Sequence, residues 1–131
     1  MNGLLLSAGD ALAAPEGLTA ARWQVLGAVA PTPGGATVPQ IARRMGLTRQ
    51  SVHATVKHLI AAGLIERVPN PDHRRSALVR LTRLGEVKYL AMERRQAPWI
   101  NQLAATASPA ALRAAREALE RISERLERED A

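Results

Sequence analysis

The chain has 131 residues, of which 47% are hydrophobic and 23% are charged, and it contains no cysteine. This length and composition are typical of a single globular domain, and the lack of cysteine excludes disulfides, thiolate metal sites and a cysteine nucleophile. The 18 basic and 12 acidic residues give a net charge of +6.

The excess positive charge lies in the middle of the chain. Residues 43–83 hold nine Lys or Arg residues and only two Asp or Glu residues, a net charge of +7. A local basic block favours a polyanionic partner, and nucleic acid is the first candidate. Sixteen of the 18 basic residues are Arg. The planar fork of Arg suits phosphate and guanine, although a GC-rich genome would produce the same bias.

Residues 3–13 are predicted to form a short apolar helix. Its leucines, Leu4 and Leu5, could pass for the core of a signal peptide. However, no Lys or Arg precedes them, and Ser7 and Asp10 interrupt the apolar run, so we expect no signal peptide and a cytoplasmic protein. No apolar run in the sequence approaches the roughly 20 residues of a membrane-spanning helix.

Three helices are predicted next, and Thr19 and Thr37 precede the first two of them as N-caps. These helices cover residues 20–30, 38–45 and 49–62. Gly46 supplies the positive φ of a tight turn between the second and the third, and Gly63 supplies a left-handed C-cap for the third. A short helix, a three-residue turn and a second helix match a helix-turn-helix.

The apolar spacing supports this motif. Ala42 is small at the point where the two helices must nearly touch, and Val52 returns to their shared core. The remaining members of this predicted cluster are Ile41, Leu47, Val56 and Leu59.

The pattern then changes from helical to strand periodicity. Residues 64–68 and 76–82 are predicted to form two strands, and the Pro and Asn residues between them favour a turn. The connecting loop carries Arg74 and Arg75. A hairpin with a basic tip directly after a helix-turn-helix is a wing, so residues 19–82 are predicted to form a winged helix-turn-helix. The fold class is therefore mainly α with a small β-hairpin wing.

Two long helices are predicted after the wing. Thr82 caps the first of them, and Pro98 is expected to kink or split it. Ser108 and Pro109 begin the second as its N-cap and first helical residue.

The final helix carries an apolar seam. Its members recur at alternating steps of three and four residues, as in a coiled coil, and are Leu112, Ala115, Leu119, Ile122 and Leu126. We expect two ion pairs beside it, Glu117–Arg121 and Glu124–Arg128. Either a partner or the rest of the same chain must cover such a seam.

The outer face of the second helix of the motif is predicted to read DNA, because a helix fits the major groove. Gln50 can pair with adenine, Arg49 with guanine or phosphate, and Lys57 with phosphate, while the wing enters a neighbouring minor groove. The predicted DNA-binding residues are Thr48, Arg49, Gln50, Ser51, His53, Lys57, Arg74 and Arg75. Any one of them could be a solvated polar residue, and some winged helices bind proteins, which stays the alternative function.

The sequence offers no constellation for catalysis or metal binding. His53 and His58 are five residues apart and diverge by about 140° around a helix, and His73 lies in the predicted wing. We therefore expect no metal, no cofactor and no enzymatic activity.

In order and spacing, these blocks resemble the MarR family of bacterial winged-helix transcription regulators over residues 12–128. The resemblance rests on Gly17-Leu18-Thr19 with Arg22 through Leu26, Ile41-Ala42 with Leu47 through Val52, Leu59 with Gly63 through Arg67, Pro69 through Arg75, and Val79 through Thr82 with Gly85. It implies a transcription regulator, expected to be a repressor, that binds double-stranded DNA at a pseudo-palindromic operator.

The resemblance also implies a homodimer within a single domain of residues 1–131. Residues 1–14 and 83–131 would then be dimerisation helices flanking the DNA-binding part. The expected dimerisation residues are Leu4, Leu5, Leu112, Leu119, Ile122 and Leu126. Because the first helix begins almost at Met1, we expect a less extensive dimer than in relatives.

Many family members bind a small anionic or aromatic effector, and Arg22 and Trp23 lie in the matching segment. The alternative is that Trp23 belongs to the core and that Arg22 is a surface residue or part of an ion pair between helices. Two departures affect the DNA contacts. His73 stands where relatives commonly carry a wing Asp, and Ala54 stands where close relatives often carry Arg.

Overall fold

The computed structural model describes residues 1–129, so the last two residues of the predicted dimerisation segment 83–131 lie outside the described residues. The described part contains six α-helices, a short 3-10 helix and one β-hairpin. In chain order they are α1 (Asn2–Ala13), the 3-10 helix (Ala14–Glu16), α2 (Ala20–Val29), α3 (Val38–Met45), α4 (Arg49–Ala61), β1 (Ile65–Val68), β2 (Leu78–Leu81), α5 (Arg83–Ala104) and α6 (Pro109–Glu129).

The chain divides into two compact units, Met1–Arg95 and a second that begins at Gln96. The first unit contains the hairpin and every helix before α6 except the last part of α5. Within the described residues, no helix combines the length and the apolar character needed to span a membrane.

The predicted cap of α3 is confirmed. The hydroxyl oxygen of Thr37 accepts a hydrogen bond from the backbone N–H of Gln40 at 3.3 Å, and the Gln40 side chain accepts one from the backbone N–H of Thr37 at 2.9 Å. This reciprocal pair is a capping box. Thr48 caps α4 by accepting from the backbone N–H of Ser51 at 3.1 Å. Gly46 has the predicted positive φ, 63°.

The core of the first unit lies where α2, α3 and α4 meet the hairpin. Its large, fully buried side chains include Leu26, Ile41, Val52, Val56 and Leu59. The prediction that Leu47 joins this cluster is wrong, because its side chain is 48% exposed. Leu47 follows the left-handed glycine of the turn, and it contributes a backbone N–H to the carbonyl of Ala42 instead.

The two strands form an antiparallel hairpin in which Ile65 pairs with Leu81 and Arg67 pairs with Val79. Ala36, in the loop before α3, adds an isolated antiparallel bridge to Val79. A single-residue bridge has no periodicity that a sequence pattern could indicate, and this one fastens the base of the wing to the helix-turn-helix.

The start of α5 packs closely against the backbone just before β1. A methyl group added to Gly85 would overlap the backbone carbonyl of Leu64. Thr82 fixes this junction, since its hydroxyl donates to the carbonyl of Gly63 at 2.6 Å and accepts from the backbone N–H of Gly85 at 3.1 Å.

A three-residue ion cluster ties the segment after α1 to α5. The Glu16 carboxylate lies 3.2 Å from Lys88 Nζ and 3.0 Å from Arg95 Nε, and its side chain is only 16% exposed. Hydrogen bonds from Arg95 and Lys88 lower the pKa of the Glu16 carboxyl below its ordinary value of 4.5. Nearby, Asp10 of α1 accepts from the backbone N–H of Ala20 at 2.7 Å and so caps α2 across the chain.

Two expectations for the C-terminal helices are corrected, the first only in part. Pro98 is predicted to kink or split α5, and it does not split the helix, which runs from Arg83 to Ala104. A single interior proline removes only one backbone hydrogen bond, and the remaining turns of this long helix are sufficient to carry it across the gap.

The ion pairs predicted on α6 are also wrong. In the described part of the helix, the pairs are Arg116–Glu120 at 3.6 Å and Arg125–Glu129 at 2.8 Å. Arg128 donates to the backbone carbonyl of Glu124 instead of to its carboxylate. All these side chains are solvated, where alternative i,i+4 partners differ little in free energy.

Candidate nucleic-acid interface

The outer face of α4 is polar and open to solvent. Val52, Val56 and Leu59 occupy the buried face of the helix. All six residues of this segment that were predicted to bind DNA are exposed, namely Thr48, Arg49, Gln50, Ser51, His53 and Lys57. The helix therefore presents a free polar face, as a groove-reading helix must.

Two of these residues also shape the start of the helix. The Thr48 hydroxyl is the N-cap acceptor, and the Ser51 hydroxyl donates to the Thr48 carbonyl at 3.1 Å. Because these hydrogen bonds use the Ser51 proton locally, a ligand would meet this hydroxyl as an acceptor.

The wing presents its basic tip to solvent. Arg74 and Arg75 are both exposed in the loop between β1 and β2. The Asn70 side chain accepts from the backbone N–H of Asp72 at 3.0 Å, which shapes the start of this loop. Across the strands, Glu66 and Arg80 form an exposed ion pair at 2.8 Å on the outer face of the hairpin.

A groove of about 330 Å³ runs between α4 and the wing, and we call it the arginine groove. Its cationic lining comes from Arg49 of α4, Arg67 of β1 and Arg75 of the wing loop, and His53 lies among them. Among residues 1–129, no carboxylate lines it. The structure therefore brings three of the predicted DNA-binding residues together with one that was not predicted.

Arg67 is the functional candidate that sequence reasoning missed. It is exposed in β1 and also lines a second groove, of about 680 Å³, together with Lys57 of α4. The signal was present in the alternation of the strand, because Arg67 occupies the same face as buried Ile65. Charged side chains are uncommon on a strand face whose other members are buried. Gln50, Ser51 and Arg74 line neither of these two grooves.

The predicted effector residues lie on α2, away from the polar face of α4. Trp23 is half-buried and packs against the core, and Arg22 is half-buried as well. Binding of an effector by these two residues stays a prediction.

The predicted dimerisation residues are exposed apolar side chains. On α1, Leu4 is 77% exposed and Leu5 is 46% exposed. On α6, the exposed fractions of Leu112, Leu119, Ile122 and Leu126 range from 43% to 64%. In residues 1–129, no group of three or more His, Asp or Glu side chains is placed to hold a metal ion.

Sequence comparison places this architecture in a known class. A sequence profile of the MarR family matches residues 16–76. A crystal structure of a MarR family transcription regulator aligns with a TM-score of 0.80 at 29% identity, covering 95% of this chain and 83% of the other. The chain belongs to the MarR family of winged-helix transcription regulators, whose members regulate transcription and are not enzymes.

Among curated proteins, the uncharacterized protein Rv2011c of Mycobacterium tuberculosis is 45% identical over 120 residues, which cover 92% of this chain and 82% of that protein. The transcriptional activatory protein BadR of Rhodopseudomonas palustris is 38% identical over 72 residues, which cover 53% of this chain and 41% of BadR.

Two further solved structures share the fold at lower identity. Mutant MarR from E. coli complexed with operator DNA aligns with a TM-score of 0.83 at 20% identity and covers 92% of this chain and 86% of the other. CouR from Rhodococcus jostii RHA1, bound to p-coumaroyl-CoA, aligns with a TM-score of 0.84 at 23% identity and covers 92% and 85%.

Proposed function

We propose that this transcription regulator binds double-stranded DNA sequence-specifically, as a homodimer, at a pseudo-palindromic operator, and that it acts as a repressor in the cytoplasm. The observation that carries the proposal is the arginine groove, where the helix that would read bases and the wing present cations from separate elements with no carboxylate among them. Such a surface has the charge that a phosphate backbone requires.

The proposed roles follow from position and chemistry. Gln50, exposed on the first turn of α4, reads a base edge, with adenine as the best match for its amide. Lys57 contacts phosphate two turns further along the helix, and Arg74 and Arg75 place the wing against the adjacent minor groove. Ala54 touches a thymine methyl group or makes no base contact.

The dimer is proposed from exposed apolar surface. Residues 19–82 would form the DNA-binding part, with 1–14 and 83–131 forming the dimer contacts. The seam on α6 exposes Leu119, Ile122 and Leu126 in the single chain, and a two-fold partner would remove them from water. Two recognition helices on one duplex would read half-sites about one helical turn apart.

We also propose that a small molecule regulates DNA binding by this chain. CouR, which shares the fold, is bound to p-coumaroyl-CoA in its crystal structure. We propose that an anionic or aromatic effector contacts Arg22 and Trp23 of this chain and releases the DNA. The direction of regulation needs its own test, since BadR is an activatory protein, and a reporter gene behind the operator distinguishes the two signs.

The proposed function is tested by mobility shift at two salt concentrations. DNA binding predicts an affinity that falls steeply as salt is raised. Arg75→Ala should weaken binding to every duplex, whereas Gln50→Ala should weaken mainly the cognate site, by about 1–3 kcal/mol. If the purified chain binds no duplex at low salt, the proposal is wrong and a protein-interaction role for the winged helix takes its place.

A further inference from the structure

Arg67 holds an unusual position in the wing. Residues of a strand alternate between its two faces, and Arg67 shares a face with Ile65 and, through the strand register, with Val79. These two neighbours are 2% and 1% exposed. On the face of the hairpin that packs against the core, the last residue of β1 is therefore Arg67, and this residue is exposed.

The surroundings of Arg67 concentrate positive charge from three separate elements. Arg49 of α4 and Arg75 of the wing loop line the same groove of about 330 Å³. Across residues 1–129, none of the three arginines takes part in an ion pair. Three guanidinium groups around one groove repel one another, and an anion with several oxygens would convert that repulsion into charge-assisted hydrogen bonds.

The charge continues past the groove. Arg67 also lines the neighbouring groove of about 680 Å³, and Lys57 lines that groove from two turns further along α4 than Arg49. Glu66 lines this groove as well, and its carboxylate is paired with Arg80. The cations thus follow a track from the wing loop, across the first turn of α4 and β1, to the middle of α4. A row of cations matches the repeated charges of a polyanion better than it matches one small anion.

We propose that the arginine groove binds one backbone phosphate of operator DNA and that Arg67 is a phosphate-contacting residue of this regulator. Arg49, Arg67 and Arg75 share this phosphate, which couples the position of the wing to that of α4. The inference rests on the proposed function, since it names the part of the DNA that this surface contacts. Contacts of this kind set register and orientation without reading sequence.

The test uses a duplex that the wild-type protein has selected from random DNA. Single phosphates of this duplex are replaced, one at a time, with neutral methylphosphonates. For the wild type, one position per half-site should lower affinity about ten- to a hundred-fold. Arg67→Ala should lose part of this factor on unmodified DNA, and the same methylphosphonate should then cost it clearly less than it costs the wild type. Arg75→Ala should show the same reduced sensitivity at that position, because both side chains act on one phosphate.

Arg80→Ala is the matched control. Arg80 lies on the opposite face of the same hairpin, where it pairs with Glu66. Arg80→Ala removes the same charge from the neighbouring strand of the hairpin, and this variant should keep the wild-type sensitivity to each methylphosphonate.

Salt dependence provides a second measurement. Arg67→Ala should reduce the slope of log affinity against log salt by about one phosphate contact. Arg67→Lys should restore the slope but not the full affinity, because it keeps the charge and loses the fork. Since Arg67 is exposed, both variants should melt with the wild type.

Two outcomes would overturn the inference and are distinguishable. If the wild type binds a duplex and Arg67→Ala retains its methylphosphonate sensitivity and salt slope, Arg67 does not contact phosphate, although the proposed function stands. If the wild type binds no duplex, the proposed function fails and the inference fails with it. A methylphosphonate changes only the DNA. If the arginine groove bound a free small anion instead of a DNA phosphate, Arg67→Ala would keep the wild-type sensitivity to each methylphosphonate, which is the first of these two outcomes.

Discussion

At the scale of single residues, the most demanding position is a glycine that permits close packing. Gly85 lets α5 approach the carbonyl of Leu64 more closely than any side chain allows. Gly85→Ala should lower the free energy of unfolding by about 1–3 kcal/mol, because α5 and β1 must move apart. Chemical denaturation in urea measures the change.

Gly3→Ala is the control for this substitution. Gly3 lies in α1 with open space around the position of a β-carbon, so alanine should be neutral or stabilise by up to about 1 kcal/mol. If Gly85→Ala unfolds at the wild-type urea concentration, the close approach of α5 to β1 is not present in solution.

Glu16 gives the first unit a pH dependence with a defined sign. Its folded pKa lies below the ordinary 4.5 because Arg95 and Lys88 donate hydrogen bonds to its carboxylate. The unfolded state therefore binds its proton first, so this contribution to stability is fully present above pH 4.5 and is lost as pH falls through the folded pKa.

Glu16→Gln removes this contribution. Its urea midpoint should lie below that of the wild type near neutral pH, and the gap should close as the buffer is acidified below pH 4.5 and through the folded pKa of Glu16. Glu127→Gln, on α6, controls for the change in net charge. A gap that stays constant over this range would show that the cluster around Glu16 does not titrate as the structure requires.

At the scale of elements, the helices that carry the site depend on their caps. Thr48 supplies the acceptor for the first turn of α4. Thr48→Ala should cost about 1 kcal/mol of stability, whereas Thr48→Ser keeps the hydroxyl and should cost little. Chemical denaturation of both variants measures these changes in the free energy of unfolding. Equal losses of stability in the two variants would mean that the Thr48 hydroxyl has no capping role.

The helices and the wing could be predicted because their signals are local. A cap such as Thr37 or a left-handed glycine such as Gly46 needs only its sequence neighbours. The single bridge of Ala36 to Val79 and the burial state of Leu47 depend on tertiary packing, which a local pattern does not encode.

The candidate site was predictable only in part. The exposed residues of α4 and the wing tip follow from amphipathic spacing, and the sequence therefore predicts them. The convergence of Arg67 with Arg49 and Arg75 requires the hairpin register and the placement of the wing beside α4. The choice among solvated ion pairs on α6 depends on small free-energy differences.

At the scale of the whole molecule, the proposed dimer depends on the seam of α6. Leu119 is 64% exposed in the single chain. Leu119→Lys should weaken a dimer that buries two copies of this side chain by about a hundred-fold or more. Sedimentation across a concentration series measures the change.

Glu117→Lys introduces the same residue on the opposite face of the same helix. It should leave the dimer intact. If Leu119→Lys and Glu117→Lys sediment alike, the seam is not the dimer contact, and the chain itself or another partner covers it.

The most direct measurement of the central claim is selection of bound duplexes from random DNA by the purified wild-type chain, followed by footprinting of the selected site. Two copies of the winged helix on one duplex predict an inverted repeat with half-site centres about 10 bp apart and protection that weakens as salt rises. Recovery of no common sequence, or of a single unrepeated half-site bound with no salt dependence, would contradict the account.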